Sequence, residues 1–299
     1  MLPIKIKLPN GFLDEEVRCG YTVSAQMKKI WAVQLDLMQR FHEVCSEHDI
    51  KYSIFWGTLL GAVRHKGMIP WDDDLDVIVD RENFNKLRKL SQDEFGYPYF
   101  LQTGLNDRER FGAYARFRNS LTTGAISGEE SLNYNNGMYI DVYVFDGVAP
   151  NRFLYCVQTL LKHVALTLLF SKYAYKRKKR GVYRLLSLFT WFVPFRVLYW
   201  LYERTLTMYE CFSDKIGAVS SFKDKDHFCY WIRRSDFQRV KTVPYEFLSF
   251  NAIDNGKDFL IRRYGKYEAF PPVNERGKWH EGVVHFDPEI PYRDYLKSK

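Results

Sequence analysis

Asp74 and Asp76 stand two residues apart around the start of Leu75-Asp76-Val77-Ile78-Val79, a run whose β-branched residues predict a strand. Residues i and i+2 of a strand share a face, so both carboxylates project the same way. Like charges held that close inside an apolar pattern repel each other and lose hydration, which a hard divalent cation such as Mg²⁺ relieves. Upstream, Gly57-Thr58 ends the alternating run Lys51 to Trp56 and is expected to make a tight turn. Its backbone N–H groups and its hydroxyl can then meet phosphate oxygens. A third acid, Asp141, lies within Gly137 to Phe145, an otherwise uncharged strand-like run. Should the two strands be neighbours, Asp74, Asp76 and Asp141 converge as in two-metal phosphoryl-transfer sites, where positioning and charge stabilisation do most of the work. An isolated Asp-x-Asp is more often a solvated turn, and it is the apolar setting that points to chemistry here.

The elements that must hold these acids can be read outward from them. Leu59 to His65 has helical character and is broken by Gly67 and Pro70 before the acidic strand. Ser24 can cap a helix running to about Glu47, in which Met27, Ile30, Leu37, Phe41 and Val44 recur at helical spacing for packing on a sheet. Ile4 to Leu8 suggests one arm of a hairpin, Glu82 to Leu90 a helix, and Tyr97 to Thr103 a strand. Alternation within Phe111 to Ser120 puts Arg116 and Arg118 on one side of a further strand, where guanidinium forks can clamp a diphosphate or form a solvated basic face. Asn255 to Tyr264 predicts a helix ended by Gly265.

Taken in order, Gly57-Thr58-Leu59-Leu60-Gly61-Ala62-Val63-Arg64-His65 and Ile69-Pro70-Trp71-Asp72-Asp73-Asp74-Leu75-Asp76 resemble the signature of the LicD family. That family includes bacterial phosphocholine transferases and is related to fukutin and fukutin-related protein. The resemblance continues at Ile140 to Asp146 and more loosely at Tyr264-Gly265-Lys266-Tyr267 and Pro271-Pro272, its strong part covering the first half of the chain. It implies a nucleotidyltransferase-type fold that moves a phospho-alcohol, phosphocholine foremost, from a CDP-alcohol donor to a hydroxyl of a glycan or lipid-linked glycan acceptor. Asp74, Asp76 and Asp141 are then the expected ligands of one or two Mg²⁺ ions, with Asp141 also placed to take the acceptor proton. Gly57, Thr58, Arg64 and Arg118 are the expected phosphate contacts, Arg118 in preference to Arg116, and His280 a substrate contact. A glycosyltransferase using a nucleotide-sugar and a non-catalytic scaffold of the same fold are the competing readings.

The 299 residues carry a net charge of +8 with an uneven distribution. From Gly147 to Tyr202 there is no Asp or Glu but there are ten Lys and Arg, and removing those ten from +8 leaves −2 for the rest. Phe153 to Phe170 and Val182 to Tyr202 are rich in Leu and aromatic residues, and Lys176 to Arg180 separates them. Lys162 interrupts the first as a membrane span, and Arg184, Pro194 and Arg196 interrupt the second. A basic, aromatic, amphipathic hairpin on an anionic membrane surface fits better, with packing on the catalytic domain as the plainer alternative. No nucleic-acid motif accompanies the charge, so nucleic acid is not an expected partner. Five scattered cysteines without ligand spacing and no signal peptide predict a cytoplasmic protein, peripheral on the inner face of the membrane.

The expected fold class is α/β (α+β), a nucleotidyltransferase-type mixed sheet flanked by helices with an added helical basic and aromatic hairpin. Residues 1–150 are expected to form the catalytic core, 151–211 the helical insertion, and 212–299 the C-terminal part that completes the catalytic domain.

Overall fold

Ser24 starts the long helix that its spacing predicts. Its backbone is extended and its hydroxyl accepts the Met27 N–H at 3.2 Å, capping α1 (Ala25–Glu47). The computed structural model describes residues 1–110, 114–129, 132–176, 180–221, 230–277 and 284–298. Within these the strands are β1 (Glu16–Arg18), β2 (Tyr21–Val23), β3 (Ser53–Ile54), β4 (Asp76–Asp80), β5 (Tyr99–Gln102), β6 (Ala115–Asn119), β7 (Thr123–Ile126), β8 (Met138–Gly147), β9 (Lys215–Gly217), β10 (Trp231–Arg233), β11 (Val240–Tyr245), β12 (Leu248–Ile253) and β13 (Val284–Asp287). The remaining helices are α2 (Trp56–Arg64), α3 (Arg81–Leu87), α4 (Gln92–Phe95), α5 (Arg152–Lys172), α6 (Val182–Thr190), α7 (Phe195–Leu206), α8 (Arg234–Gln238), α9 (Gly256–Tyr264) and α10 (Tyr292–Lys297).

The fold is α+β, a mixed sheet flanked by helices. Its axis is β8, whose ten residues pair with β4 in parallel, with β6 antiparallel on the other side, and with β9 at the far end. β3, β5 and β10 complete seven strands among the described residues. Alternation along β6 decides what each face does. Phe117 points into the core against Phe41 of α1, Phe95 and Tyr99, with ring centroids 5.5 to 5.9 Å away, a burial that stabilises by roughly 1.5–3 kcal/mol. Arg116 and Arg118 consequently face the other way.

One expectation is displaced. Ile4 to Leu8 forms no hairpin, because Asp36 of α1 accepts the N–H groups of Lys5 and Ile6 at 2.6 and 3.0 Å, leaving the segment pinned to a helix instead of a strand. The hairpin lies at β1 and β2. A second hairpin joins β11 and β12, with Val240 opposite Ile253 and Tyr245 opposite Leu248. Asp146, at the end of the second acidic block, is structural: a buried fork from Arg81 reaches its two oxygens at 2.6 and 2.8 Å and ties α3 to β8.

Candidate active site

The acids reach their places through backbone contacts from three elements. On α1, Trp31 donates its indole N–H to the Asp72 carbonyl at 2.9 Å and Gln34 its amide to the Asp73 carbonyl at 3.2 Å, so the acidic loop is gripped from the helix side. From α2, the Thr58 hydroxyl accepts the Asp76 N–H at 2.7 Å, and the Phe55 N–H donates to the Asp76 carbonyl at 3.0 Å. Register does the rest. Asp76 lies directly opposite Asp141 across β4 and β8, and Arg116 directly opposite Asp141 across β6 and β8, so all three share one face of the sheet.

The turn expected at Gly57-Thr58 falls one residue earlier. Trp56 has φ +47°, in the region that favours glycine, whereas Gly57 is already the second residue of α2. Space at 57 is tight, since a Cβ there would stand 3.1 Å from the Asp72 carboxylate, which would have to give by a few tenths of an ångström. Gly61 is needed more strictly, since a Cβ would come within 2.4 Å of the Gly67 carbonyl. The two glycines let α2 lie against the acidic loop.

Above these residues opens a cavity of about 540 Å³. Asp72, Asp74 and Asp76 line it with Gly57 and Arg64, and Trp56, Tyr143 and Tyr230 form an aromatic side. Trp56 meets Tyr143 and Tyr230 edge to face, with centroids 6.3 and 5.5 Å away. Residues 263–271 supply a further wall, including Lys266 and Arg263, whose guanidinium lies 4.6 Å over the Tyr230 ring. Arg64 fastens that wall by donating to the carbonyls of Tyr267 and Ala269 at 2.9 and 3.1 Å.

Electrostatics mark the floor. Burial, then the charges of Asp72, Asp76, Asp73 and Asp141, push the Asp74 carboxyl well above the usual range. Among the described residues, the acids whose carboxylate oxygens gather within 4.8 Å are Asp72, Asp73 and Asp74. This differs from the trio Asp74, Asp76 and Asp141. Asp141 instead accepts the Arg116 Nε–H at 2.8 Å and does not line the cavity. Burial alone would lower the Arg116 pKa, but the Asp141 charge, the neighbouring Tyr139 and Tyr114 and the hydrogen bond to Asp141 together outweigh it and hold the guanidinium above its ordinary value.

Arg118 requires a correction. It is fully buried, donates to Gln102 and to the Gly137 carbonyl, and lies over the Tyr139 ring at 4.7 Å, away from the cavity. Burial and neighbouring Arg116 push its pKa down to about 9, a setting for bracing a sheet and not for clamping a diphosphate. Arg64 does reach the cavity. His280 lies outside the described residues. Sequence reasoning passed over Asp72, although it stands in the acidic run, and over Trp56, Tyr143 and Arg263, for which no local signal exists because their meeting is long-range.

Comparison with known proteins agrees with this architecture. The LicD/FKTN/FKRP nucleotidyltransferase domain matches residues 49–161, from just before β3 into α5, and so takes in every strand that carries an acid of the site. By this match residues 49–161 form a LicD-family domain. The chain is 27% identical over 255 residues to the lipopolysaccharide cholinephosphotransferase LicD of Haemophilus influenzae, covering 83% of this chain and 93% of that one. Shorter stretches resemble uncharacterized proteins of Rickettsia prowazekii, 42% identical over 91 residues and 30% of each chain, and of Rickettsia typhi, 55% identical over 47 residues, 16% of this chain and 15% of that one. The LicD-family match covers the acidic floor and the helix that abuts it, while the wall at 263–271 lies beyond the matched domain.

Proposed function

We propose that this LicD-family phosphotransferase moves phosphocholine from CDP-choline to a hydroxyl of a lipopolysaccharide-type glycan or its lipid-linked precursor, with Mg²⁺ as cofactor. The observation that carries the reading is the pairing, in one cavity, of an acidic floor with an aromatic side. A choline cation is attracted to the faces of rings such as Trp56 and Tyr143. A ribitol or glycerol unit would call for polar partners there instead.

The donor set on the floor is all carboxylate oxygen, which suits Mg²⁺, and a cation would relieve both the burial and the charge crowding that raise the Asp74 pKa. Asp72, Asp74 and Asp76 would hold one or two ions, with Asp141 paired to Asp76 on the next strand. When bound, Mg²⁺ supplies charge neutralisation for the diphosphate. Arg64, Arg263 and Lys266 add positive charge to the lining. The acceptor oxygen attacks the phosphorus that bears choline, the bond from that phosphorus to the oxygen of CMP breaks, and CMP leaves. The acceptor proton passes to a cavity carboxylate, Asp74 or Asp76, in place of Asp141, which Arg116 already engages and which lies outside the lining.

CMP release from CDP-choline, assayed with Mg²⁺ and a lipopolysaccharide acceptor, tests this. Asp76→Asn should lower the rate by about 100-fold or more, the scale of losing one main electrostatic group. Trp56→Ala should raise KM for CDP-choline. Undiminished turnover by Asp76→Asn, or preference for CDP-ribitol or CDP-glycerol over CDP-choline, would sink the reading.

A further inference from the structure

The helices α5 to α7 are built inside out relative to an ordinary surface unit. The inward stripe of α5 carries Gln158 and Lys162, and both are hydrogen-bonded to protein. Gln158 donates to the carbonyls of Thr205 and Leu206 at 3.0 and 3.2 Å, and Lys162 to the Val219 carbonyl at 3.0 Å. Lys162 therefore does not break the outer face, contrary to the sequence reading. Lys172 likewise spends its ammonium on the carbonyls of Thr190, Trp191 and Val193, fixing the 118° bend between α6 and α7. The outward side is apolar. Leu185, Leu188 and Phe189 follow helical spacing on α6 and are exposed, while Trp191 and Phe192 in the bend are 75% and 84% exposed.

We propose that this face docks on an anionic lipid bilayer as an interfacial platform. Contiguous apolar side chains of this size in water mark an interaction surface. The charge pattern selects the occupant. Arg180, Arg184 and Arg196 are exposed in the same stretch, and no acid occurs from Gly147 to Tyr202. Anionic headgroups complement those cations, whereas a second copy of the chain would press like charges together. α5 is long and apolar enough to cross a membrane. Its inner face, however, is committed to Thr205, Leu206 and Val219, which leaves only the outer face for lipid. Val219, which accepts from Lys162, adjoins Ala218 and Ser221 of the cavity lining, so the inner side of α5 packs beside the cavity.

The test uses the full chain sedimented with phosphatidylcholine vesicles with and without phosphatidylglycerol, and needs no substrate, so its failure is separate from failure of the proposed reaction. Binding should require phosphatidylglycerol and weaken with salt. Leu188→Glu/Phe189→Glu/Phe192→Glu should lower the partition coefficient by at least about tenfold, and Arg184→Gln/Arg196→Gln, which leaves the apolar patch intact, by about tenfold. Absence of binding to phosphatidylglycerol vesicles, or binding as tight as wild type by either variant, would overturn the proposal. So would a wild-type dimer in sedimentation equilibrium that the glutamate variant dissolves, since the patch would then be a contact between copies.

Discussion

The acidic floor and the α5 to α7 platform turn their polar side chains in opposite directions. At the floor, carboxylates face an open cavity and are held there by groups on three other elements: Trp31 and Gln34, Thr58, and Arg116. On the platform, the polar side chains Gln158, Lys162 and Lys172 turn inward to bind carbonyls, and the aromatic ones turn out. The floor keeps charges in place at the expense of stability, and the platform keeps apolar surface in water. In both, the arrangement is one that folding alone would not favour, which locates function in both.

The sharpest contrast is in stability. Arg116→Met removes the partner of Asp141 and leaves a carboxylate without its counter-ion among buried neighbours, which should cost about 3–5 kcal/mol. On the platform, Phe192→Ser should change stability by less than about 0.5 kcal/mol, because the ring is already in water. Urea unfolding of the two variants measures the difference directly, and equal losses would erase the distinction between the regions. A smaller effect is expected at Thr58. In Thr58→Val the buried N–H of Asp76 loses its acceptor, a loss of about 1–3 kcal/mol. Thr58→Ser keeps the hydroxyl and should restore most of the stability. Failure of serine to rescue would mean that the threonine acts by packing.

Much of the floor was legible because its information is local. The Asp-x-Asp spacing, the β-branched run after it, and the lone acid in β8 each fall within ten residues, and the parallel pairing of Asp76 with Asp141 follows once the strands are neighbours. The helix from Ser24 was equally plain, since cap and periodicity agree. What local pattern could not give was direction. Alternation placed Arg116 and Arg118 on one face, yet only the sheet order shows that Asp141 occupies Arg116 and that Gln102 and Gly137 enclose Arg118. Lys162 misled for the same reason: a lysine in an apolar helix reads as an interruption until Val219, far along the chain, is seen to receive it. The turn was assigned to Gly57 because glycine is the usual occupant of positive φ, but Trp56 takes that conformation and Gly57 lies close against Asp72. The wall from Arg263 to Pro271 meets the floor across two hundred residues, a contact no short pattern encodes.

The smallest expected effect bears on why the floor is strained. In the metal-free protein the Asp74 pKa lies above its ordinary carboxylate value, through burial and then the charges of Asp72, Asp76, Asp73 and Asp141. The folded state therefore holds a proton that the unfolded chain releases near pH 4. As pH rises from there through the raised folded-state value, the unfolded chain binds fewer protons than the native one and stability falls, levelling off once both forms are ionised. Asp74→Asn removes that slope, so without Mg²⁺ the variant should be the more stable at pH 7, by about 1 kcal/mol. Adding Mg²⁺ should stabilise wild type by mass action and the variant less, closing or reversing the gap. Thermal unfolding with EDTA and with Mg²⁺, across pH 4 to about 8, reads both effects. If Asp74→Asn is the less stable protein in EDTA, the carboxylates of the floor are not in the repulsive contact that makes a cation necessary.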